Sequence, residues 1–167
     1  MLIIINFLKE MEIIMSENVF KQYDSIDLAR HIMAVCDENN IIFEKNNGNT
    51  KLNKLLYIVY GVYLSIYNKS ILTEKPKCFP YGPVFPRVFK KYIKLESQKL
   101  NLEKNLENII QEVIKKFGNW KAGELSAWSH EDGSPWQIIF KKSNNKYGSE
   151  LNDNDIIQYF KNKVIMA

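Results

Sequence analysis

The short segment Ser129-His-Glu-Asp-Gly-Ser-Pro-Trp holds the residues of this chain that are most suggestive of catalysis. It places an imidazole next to two carboxylates and a serine, which are side chains used in general acid–base catalysis. A general base also needs a positioned nucleophile with an oxyanion site, and this segment alone supplies neither. We therefore favour a structural role, in which His130 and Ser134 bind loop backbone and Trp136 fills the core.

The other reactive side chains do not cluster along the chain. Cys36 and Cys78 form no CxxC pair, and the two histidines, His31 and His130, lie far apart in the sequence. These spacings exclude a disulfide framework and disfavour a zinc module. No GxSxG, HExxH or phosphate-binding glycine loop occurs either. We predict a protein that is not an enzyme, with no cofactor and no metal, and the unpaired thiols favour the cytoplasm.

Charge is distributed unevenly along the chain. The net charge is −5 over residues 1–44, +9 over residues 45–99 and zero over residues 100–167. A basic stretch can bind phosphates or an acidic protein. Lys, Asn and Ile are abundant throughout the chain, however, so we favour a solvated surface over a nucleic-acid site.

Aromatic residues recur at helical spacing. Tyr57, Tyr60, Tyr63 and Tyr67 lie at i, i+3, i+6 and i+10, which places them on one side of a helix. We favour a core stripe with partly hydrated hydroxyls. A stacking platform for single-stranded nucleic acid, with Lys54 beside it, is the alternative.

Three tryptophans, Trp120, Trp128 and Trp136, recur at eight-residue intervals. Exposed tryptophans would indicate a partner surface, since they dominate binding hot spots, whereas buried ones belong to the core. We assign Trp136 to the core and leave Trp128 open.

Length and composition predict one compact domain. The chain has 167 residues, 46% of them apolar and 25% charged, as in globular proteins. We place the domain at residues 16–167 and treat residues 1–15 as a flexible or non-native extension, because they lack a basic n-region and a cleavage site and precede alternative methionines. The longest apolar runs are too short to cross a bilayer, so we expect no membrane span.

The periodicity predicts a mainly α fold built around a central apolar helix at about 51–67. Thr50 is its predicted N-cap, and Ser25 is the predicted N-cap of an earlier helix. Prolines between 70 and 86 exclude a helix and indicate a short extended or β element near 70–85. Within it, Pro83 is expected to hold Gly82 in an extended conformation.

Five further helices are predicted after this element. Pro86 suits the first turn of a third helix, with Val88, Phe89, Tyr92 and Ile93 on its inner side. Residues 102–117 keep the helical spacing most clearly, and Gly118 ends that helix. Short helices are expected around 124–128, after the Ser134-Pro N-cap, and from about 153.

Three blocks of this sequence, in order, resemble the Panacea domain family, also called the phage-associated or SocA-like antitoxin domain. They are Lys51-Leu-Asn-Lys-Leu-Leu-Tyr, followed by Leu64 and Ile71-Leu72, then Tyr81-Gly-Pro-Val-Phe-Pro-Arg-Val-Phe, and Leu125-Ser-Ala-Trp-Ser-His-Glu-Asp-Gly-Ser-Pro-Trp. The family's usual Ala-Trp before the Gly-Pro-Val turn is replaced here by Cys78-Phe79, and its usual threonine before the histidine is Ser129.

The resemblance implies a helical, non-enzymatic antitoxin that binds a cognate toxin encoded by the adjacent gene. Alternatives are an adaptor that delivers a partner to an ATP-dependent protease and a nucleic-acid-binding regulatory module, of which the nucleic-acid module is less favoured. The motif residues are expected to build the common scaffold: Lys51, Leu52, Lys54, Leu55, Leu56, Tyr57, Tyr81, Gly82, Pro83, Val84, His130, Ser134, Pro135 and Trp136. Toxin contact is expected from segments 68–80 and 141–167, with Phe79, Arg87 and Trp128 as individual candidates.

Overall fold

The computed structural model describes residues 20–166 and contains seven α-helices and one β-hairpin within them. The elements are α1 (Ser25–Glu38), α2 (Gly48–Tyr67), β1 (Lys77–Phe79), β2 (Gly82–Val84), α3 (Pro86–Lys91), α4 (Lys104–Phe117), α5 (Ala122–Ser129), α6 (Pro135–Lys142) and α7 (Asp153–Phe160). A 3-10 turn, Tyr92–Lys94, continues α3, and a π-helical turn, Lys161–Ile165, continues α7. The predicted mainly α class is confirmed. The extension predicted at residues 1–15 lies outside the described residues.

Helix α2 forms the centre of the domain, as its apolar sequence predicts. Fourteen of its 20 residues are buried, because α1, α4, α5, α7 and the hairpin all pack against it. A helix that is apolar on nearly every side is stable in water only when neighbours cover it in this way. Among helices within residues 20–166, none is both long and apolar enough to cross a bilayer.

The two predicted N-caps are wrong by one and three residues. Asp24 caps α1, accepting a hydrogen bond from the backbone N–H of Ile26 at 2.9 Å, while Ser25 instead donates to the carboxylate of Glu74. Aspartate caps a helix as well as serine does, and here it comes first. Helix α2 starts at Gly48, two residues before Thr50, because the preceding turn already has helical hydrogen bonds.

Helix α3 buries less of its apolar surface than predicted. Val88 is buried and Tyr92 half-buried, but Phe89 is 38% exposed and Ile93 is 95% exposed. The helix has only six residues, and the tighter 3-10 turn that follows rotates later side chains relative to an ideal α-helix. The inner side predicted for Phe89 and Ile93 is therefore wrong.

The hairpin is antiparallel, with Cys78 opposite Pro83 and Phe79 opposite Gly82. The segment before α7 extends this sheet, since the N–H of Cys78 donates to Ser149 and the N–H of Gly148 donates to the carbonyl of Cys78. Both edges of β1 are thus paired over a short length, which fixes the hairpin to the domain.

The tyrosine stripe of α2 lies in the core. Tyr57, Tyr60 and Tyr63 are buried, and Tyr67 is half-buried. The hydroxyl of Tyr60 donates to Asp153 at 3.2 Å. By contrast, the buried hydroxyl of Tyr57 has no hydrogen-bond partner among the described residues.

We expect Tyr57→Phe to leave the free energy of unfolding unchanged or to raise it by up to about 1 kcal/mol. Burying a hydroxyl without a partner costs about 1–3 kcal/mol, and phenylalanine removes the hydroxyl while keeping the ring. Denaturant unfolding of both proteins measures this. A loss of more than about 1 kcal/mol would show that the Tyr57 hydroxyl makes a stabilising hydrogen bond.

Candidate functional site

The tip of the hairpin is the place where the three sequence blocks meet. The backbone carbonyls of residues 79, 80, 81 and 83 face side chains from α2, from the C-terminal end of α5 and from the start of α6. These side-chain hydrogen bonds hold the hairpin against the three helices. We call this arrangement, residues 79–83 with their side-chain partners, the hairpin clamp.

Lys54 is the buried member of the hairpin clamp. Its side chain is fully buried, and its Nζ donates to the carbonyl of Pro83 at 2.9 Å. Burial disfavours the charged ammonium and lowers the pKa of Lys54 to about 7. The lysine therefore acts as a hydrogen-bond donor inside the core rather than as a surface charge.

Asn53 holds the chain just beyond the hairpin, a role that the sequence did not reveal. It is fully buried, and its Oδ1 accepts from the N–H of Phe85 at 2.9 Å. Its Nδ2 donates to the backbone carbonyl of Asn49 at 3.0 Å. A polar residue inside an apolar helix was the available signal, since such a residue must find partners when it is buried.

Gly82 begins strand β2, in keeping with the extended conformation predicted for it, but its φ is positive, at +101°. Proline restricts the residue before it, but glycine has no Cβ and accepts positive φ at little cost. A Cβ here would meet the Oγ of Ser129 and lie 2.5 Å from Cε of Lys54. Gly82 thus allows the hairpin to approach α2 and α5 closely.

His130 connects the hairpin to the end of α5. Its Nε2 lies 3.1 Å from the carbonyl oxygen of Pro80, and its Nδ1 lies 2.6 Å from that of Ser126. A neutral imidazole donates to one of these oxygens and a protonated one to both. Ser126 in turn donates through Oγ to the carbonyl of Tyr81 at 3.0 Å. These partners are backbone acceptors, as the structural interpretation of this segment expects.

Trp136 closes the clamp from α6. The Oγ of Ser134 accepts from the N–H of Gln137, and Pro135 occupies the first helical turn, so the predicted Ser-Pro helix start is confirmed. Trp136 is 8% exposed, and its Nε1 donates to the carbonyl of Phe79 at 2.8 Å. This matches the core position that we assign to Trp136.

The remaining predicted scaffold residues lie mostly in the core. Buried members are Leu52, Leu55, Leu56, Tyr57, Pro83 and Val84, whereas Lys51 is half-buried and Tyr81, at the hairpin tip, is 68% exposed.

The three individual candidates for partner contact differ in exposure. Trp128 is half-buried and packs against the rings of Tyr57 and Phe160. Phe79 is half-buried, and Arg87 is exposed and forms an ion pair with Asp24. Partner contact by these residues stays a prediction.

Both cysteines and His31 are buried. Burial raises the pKa of the Cys36 thiol to about 12 and that of Cys78 to about 11, which disfavours the nucleophilic thiolate. His31 is buried, with Nδ1 accepting from the N–H of Leu100 and Nε2 lying 2.6 Å from Glu107. Two cavities, of about 260 and 240 Å³, are lined by neither histidine. Within residues 20–166, no group of three or more potential His, Cys, Asp or Glu ligands could hold a metal ion.

The structure is a helical scaffold in which side chains from the three sequence blocks meet at one β-hairpin. The family described as "Antitoxin SocA-like, Panacea domain" matches residues 52–137, and the chain belongs to that family. The match runs from α2 to the start of α6 and so includes every residue of the hairpin clamp.

A curated relative is similar over a longer segment. Antitoxin SocA of Caulobacter vibrioides (strain NA1000 / CB15N) is 28% identical over 110 residues, which cover 54% of this chain and 58% of that protein. The chain therefore spans less than two-thirds of the relative's length. No solved structure matches the chain.

We expect Lys54→Met to change how stability depends on pH. Between about pH 7 and 10.5 the lysine is neutral when folded and protonated when unfolded, so the unfolded state binds more protons. Stability of the parent then rises with pH, relative to the methionine variant, by at most about 1.4 kcal/mol per pH unit. Below about pH 7 both states are protonated, and the difference between the variants is constant.

Unfolding both proteins in urea at about pH 7.5, 8.0 and 8.5 measures this difference and cancels other titrating groups. Because Lys54 is mostly neutral in the folded state over this range, the hydrogen bond lost with Pro83 contributes a nearly constant offset. Parallel stability profiles for the two proteins would mean that Lys54 stays charged in the folded state.

Proposed function

We propose that this protein is an antitoxin that acts in the cytoplasm and neutralises a cognate toxin by binding it directly. Membership of the SocA-like Panacea family is the observation that carries the proposal. The curated relative, which is named an antitoxin, agrees with it. The toxin is expected to be the product of the adjacent gene.

The geometry supports a binding role over a catalytic one. Motif side chains with reactive groups, among them His130 and Lys54, face backbone carbonyls of the hairpin. These contacts stabilise the scaffold and leave the specificity for a toxin to residues outside the motifs. An antitoxin of this kind covers or distorts the toxin's active or membrane-inserting surface.

Growth rescue tests the proposal. The adjacent gene is expressed from an inducible promoter, alone and together with this protein. We expect arrest in the first case and restored growth in the second, because a complex removes free toxin. A neighbour that is harmless alone, or one that arrests growth equally in both cases, contradicts the proposal.

His130→Gln tests whether the histidine has a scaffold or a catalytic role. Glutamine keeps one hydrogen bond but cannot exchange a proton near neutral pH. We expect a stability loss of about 1 kcal/mol and nearly unchanged rescue. Melting temperature, complex formation and rescue are measured on the same variant. Normal folding and binding with rescue reduced about a hundredfold would indicate acid–base catalysis.

A further inference from the structure

An apolar row is exposed along α3 and the 3-10 turn that continues it. Phe89 lies in α3 and Ile93 lies four positions later in the 3-10 turn, and both side chains are exposed. The ring of Phe79 on β1 lies 5.8 Å from that of Phe89, so the row continues onto the hairpin. Ile93 is 95% exposed, and a row of this kind is typical of a partner site.

A basic row runs beside the apolar one. Lys90 and Lys94 each follow one of these apolar residues directly in the chain, and both are exposed. Neither forms an ion pair with any described residue. Arg87, by contrast, is paired with Asp24. Residues 86–94 contain no acidic side chain.

The backbone beneath the two rows is held in place. Val88 is buried in the core, and Asn49 donates through Nδ2 to the carbonyl of Phe89 at 3.0 Å. Asn53 accepts from the N–H of Phe85, immediately before α3. A surface fixed in this way loses little conformational entropy when a partner binds.

We propose that the two rows of α3 bind an acidic, amphipathic helical segment of a partner protein, with apolar residues on Phe89 and Ile93 and carboxylates on Lys90 and Lys94. The proposal rests on the function proposed above and places the toxin contact on α3. Charge complementarity selects an acidic segment over a second copy of this basic surface. Nucleic acid fits less well, because Ile93, the most exposed side chain of the row, is aliphatic and cannot stack on a base, and the nearby Arg87 is already paired.

A synthetic peptide tests the surface without the toxin. The probe is a helical peptide of roughly 18 residues, with a row of leucines beside a row of glutamates. Its affinity is measured by NMR titration against the full chain. We expect the largest changes in NMR chemical shift at residues of α3. The double variant Lys90→Glu with Lys94→Glu should raise the Kd for the peptide at least about tenfold.

The matched control is the double variant Lys115→Glu with Lys141→Glu, which reverses two positive charges elsewhere on the surface. Both lysines are exposed and lie in the last turns of α4 and α6. It changes net charge and helix-end electrostatics in the same way, and we expect a change in Kd of less than about twofold. Ile93→Ala should weaken binding at least about threefold, and Ile42→Ala, at another exposed isoleucine, should not. Equal effects of the two charge reversals would overturn the proposal. Tighter binding of a single-stranded oligonucleotide of equal charge would also overturn it.

The toxin assay separates this proposal from the proposed function. Both proposals are supported if the parent and the Lys115/Lys141 control variant rescue growth and the Lys90/Lys94 variant does not. Rescue by all three proteins leaves the antitoxin function intact and overturns the α3 surface. If the peptide binds α3 as expected but the parent fails to rescue, the surface stands and the antitoxin function fails.

Discussion

Replacing Trp136 with alanine is expected to destabilise the protein by about 3–5 kcal/mol, the usual cost of removing a large buried aromatic side chain. The indole is 8% exposed and stacks on Phe140 with ring centroids 4.8 Å apart. The change also leaves the carbonyl of Phe79 without its indole donor. Urea unfolding gives the loss, and reduced growth rescue should follow from the loss of folded protein.

Trp120→Ala is the matched control, since Trp120 is 36% exposed and its ring packs against Phe117. We expect a smaller loss, of about 2 kcal/mol, because less apolar surface is removed from the core. Similar losses at Trp120 and Trp136 would contradict the core role of Trp136. A Trp136→Ala protein that melts like the parent but fails to bind the toxin would make Trp136 a contact residue.

Gly82→Ala is expected to destabilise the protein by about 3–5 kcal/mol through two separate costs. Positive φ is unfavourable for any residue with a Cβ, by about 1–2 kcal/mol. The new methyl group would also collide with Ser129 and with the aliphatic part of buried Lys54. Lys54 is fully buried and bonded to the carbonyl of Pro83, so moving it aside would cost packing and a hydrogen bond.

Gly133→Ala separates the two costs. Gly133 also has positive φ, +76°, but a Cβ there would meet no atom within 4 Å. We expect this variant to lose only about 1 kcal/mol, from backbone strain alone. Equal losses for the two alanine variants in urea unfolding would show that close approach at Gly82 contributes nothing.

Local patterns in the sequence were sufficient to predict much of the secondary structure. Helix α2 was predictable because it is apolar on almost every side, and the start of α6 because Ser134 and Pro135 form a strong N-terminal signal. The proline-rich stretch correctly excluded a helix before α3. These features depend on residues that are close in sequence.

Features that depend on distant residues were not predictable. Lys54 is polar in type, yet it is buried because the carbonyl of Pro83, 29 positions away, accepts its hydrogen bond. The conformation of Gly82 follows from the close approach of α2 and α5, which no local pattern encodes. The exposure of Phe89 and Ile93 depends on how little of α3 the other helices cover, so periodicity assigned them to the wrong side.

The candidate site was only partly predictable. The family blocks indicated which residues belong together, and the structure brings them to one hairpin. The sequence could not predict which side chain binds which backbone carbonyl. His130, Lys54 and Trp136 each bind a different carbonyl of the hairpin. Asn53 was missed, although its place inside an apolar helix was a usable signal.

Inhibition of the purified toxin tests direct neutralisation most sharply. The toxin's activity is measured while this protein is added in increasing amounts, with no protease and no ATP present. Direct binding predicts that the activity falls to background at a fixed molar ratio, with the toxin still intact. Full toxin activity in an excess of folded protein, lost only when an ATP-dependent protease is added, would contradict the account and indicate a proteolysis adaptor.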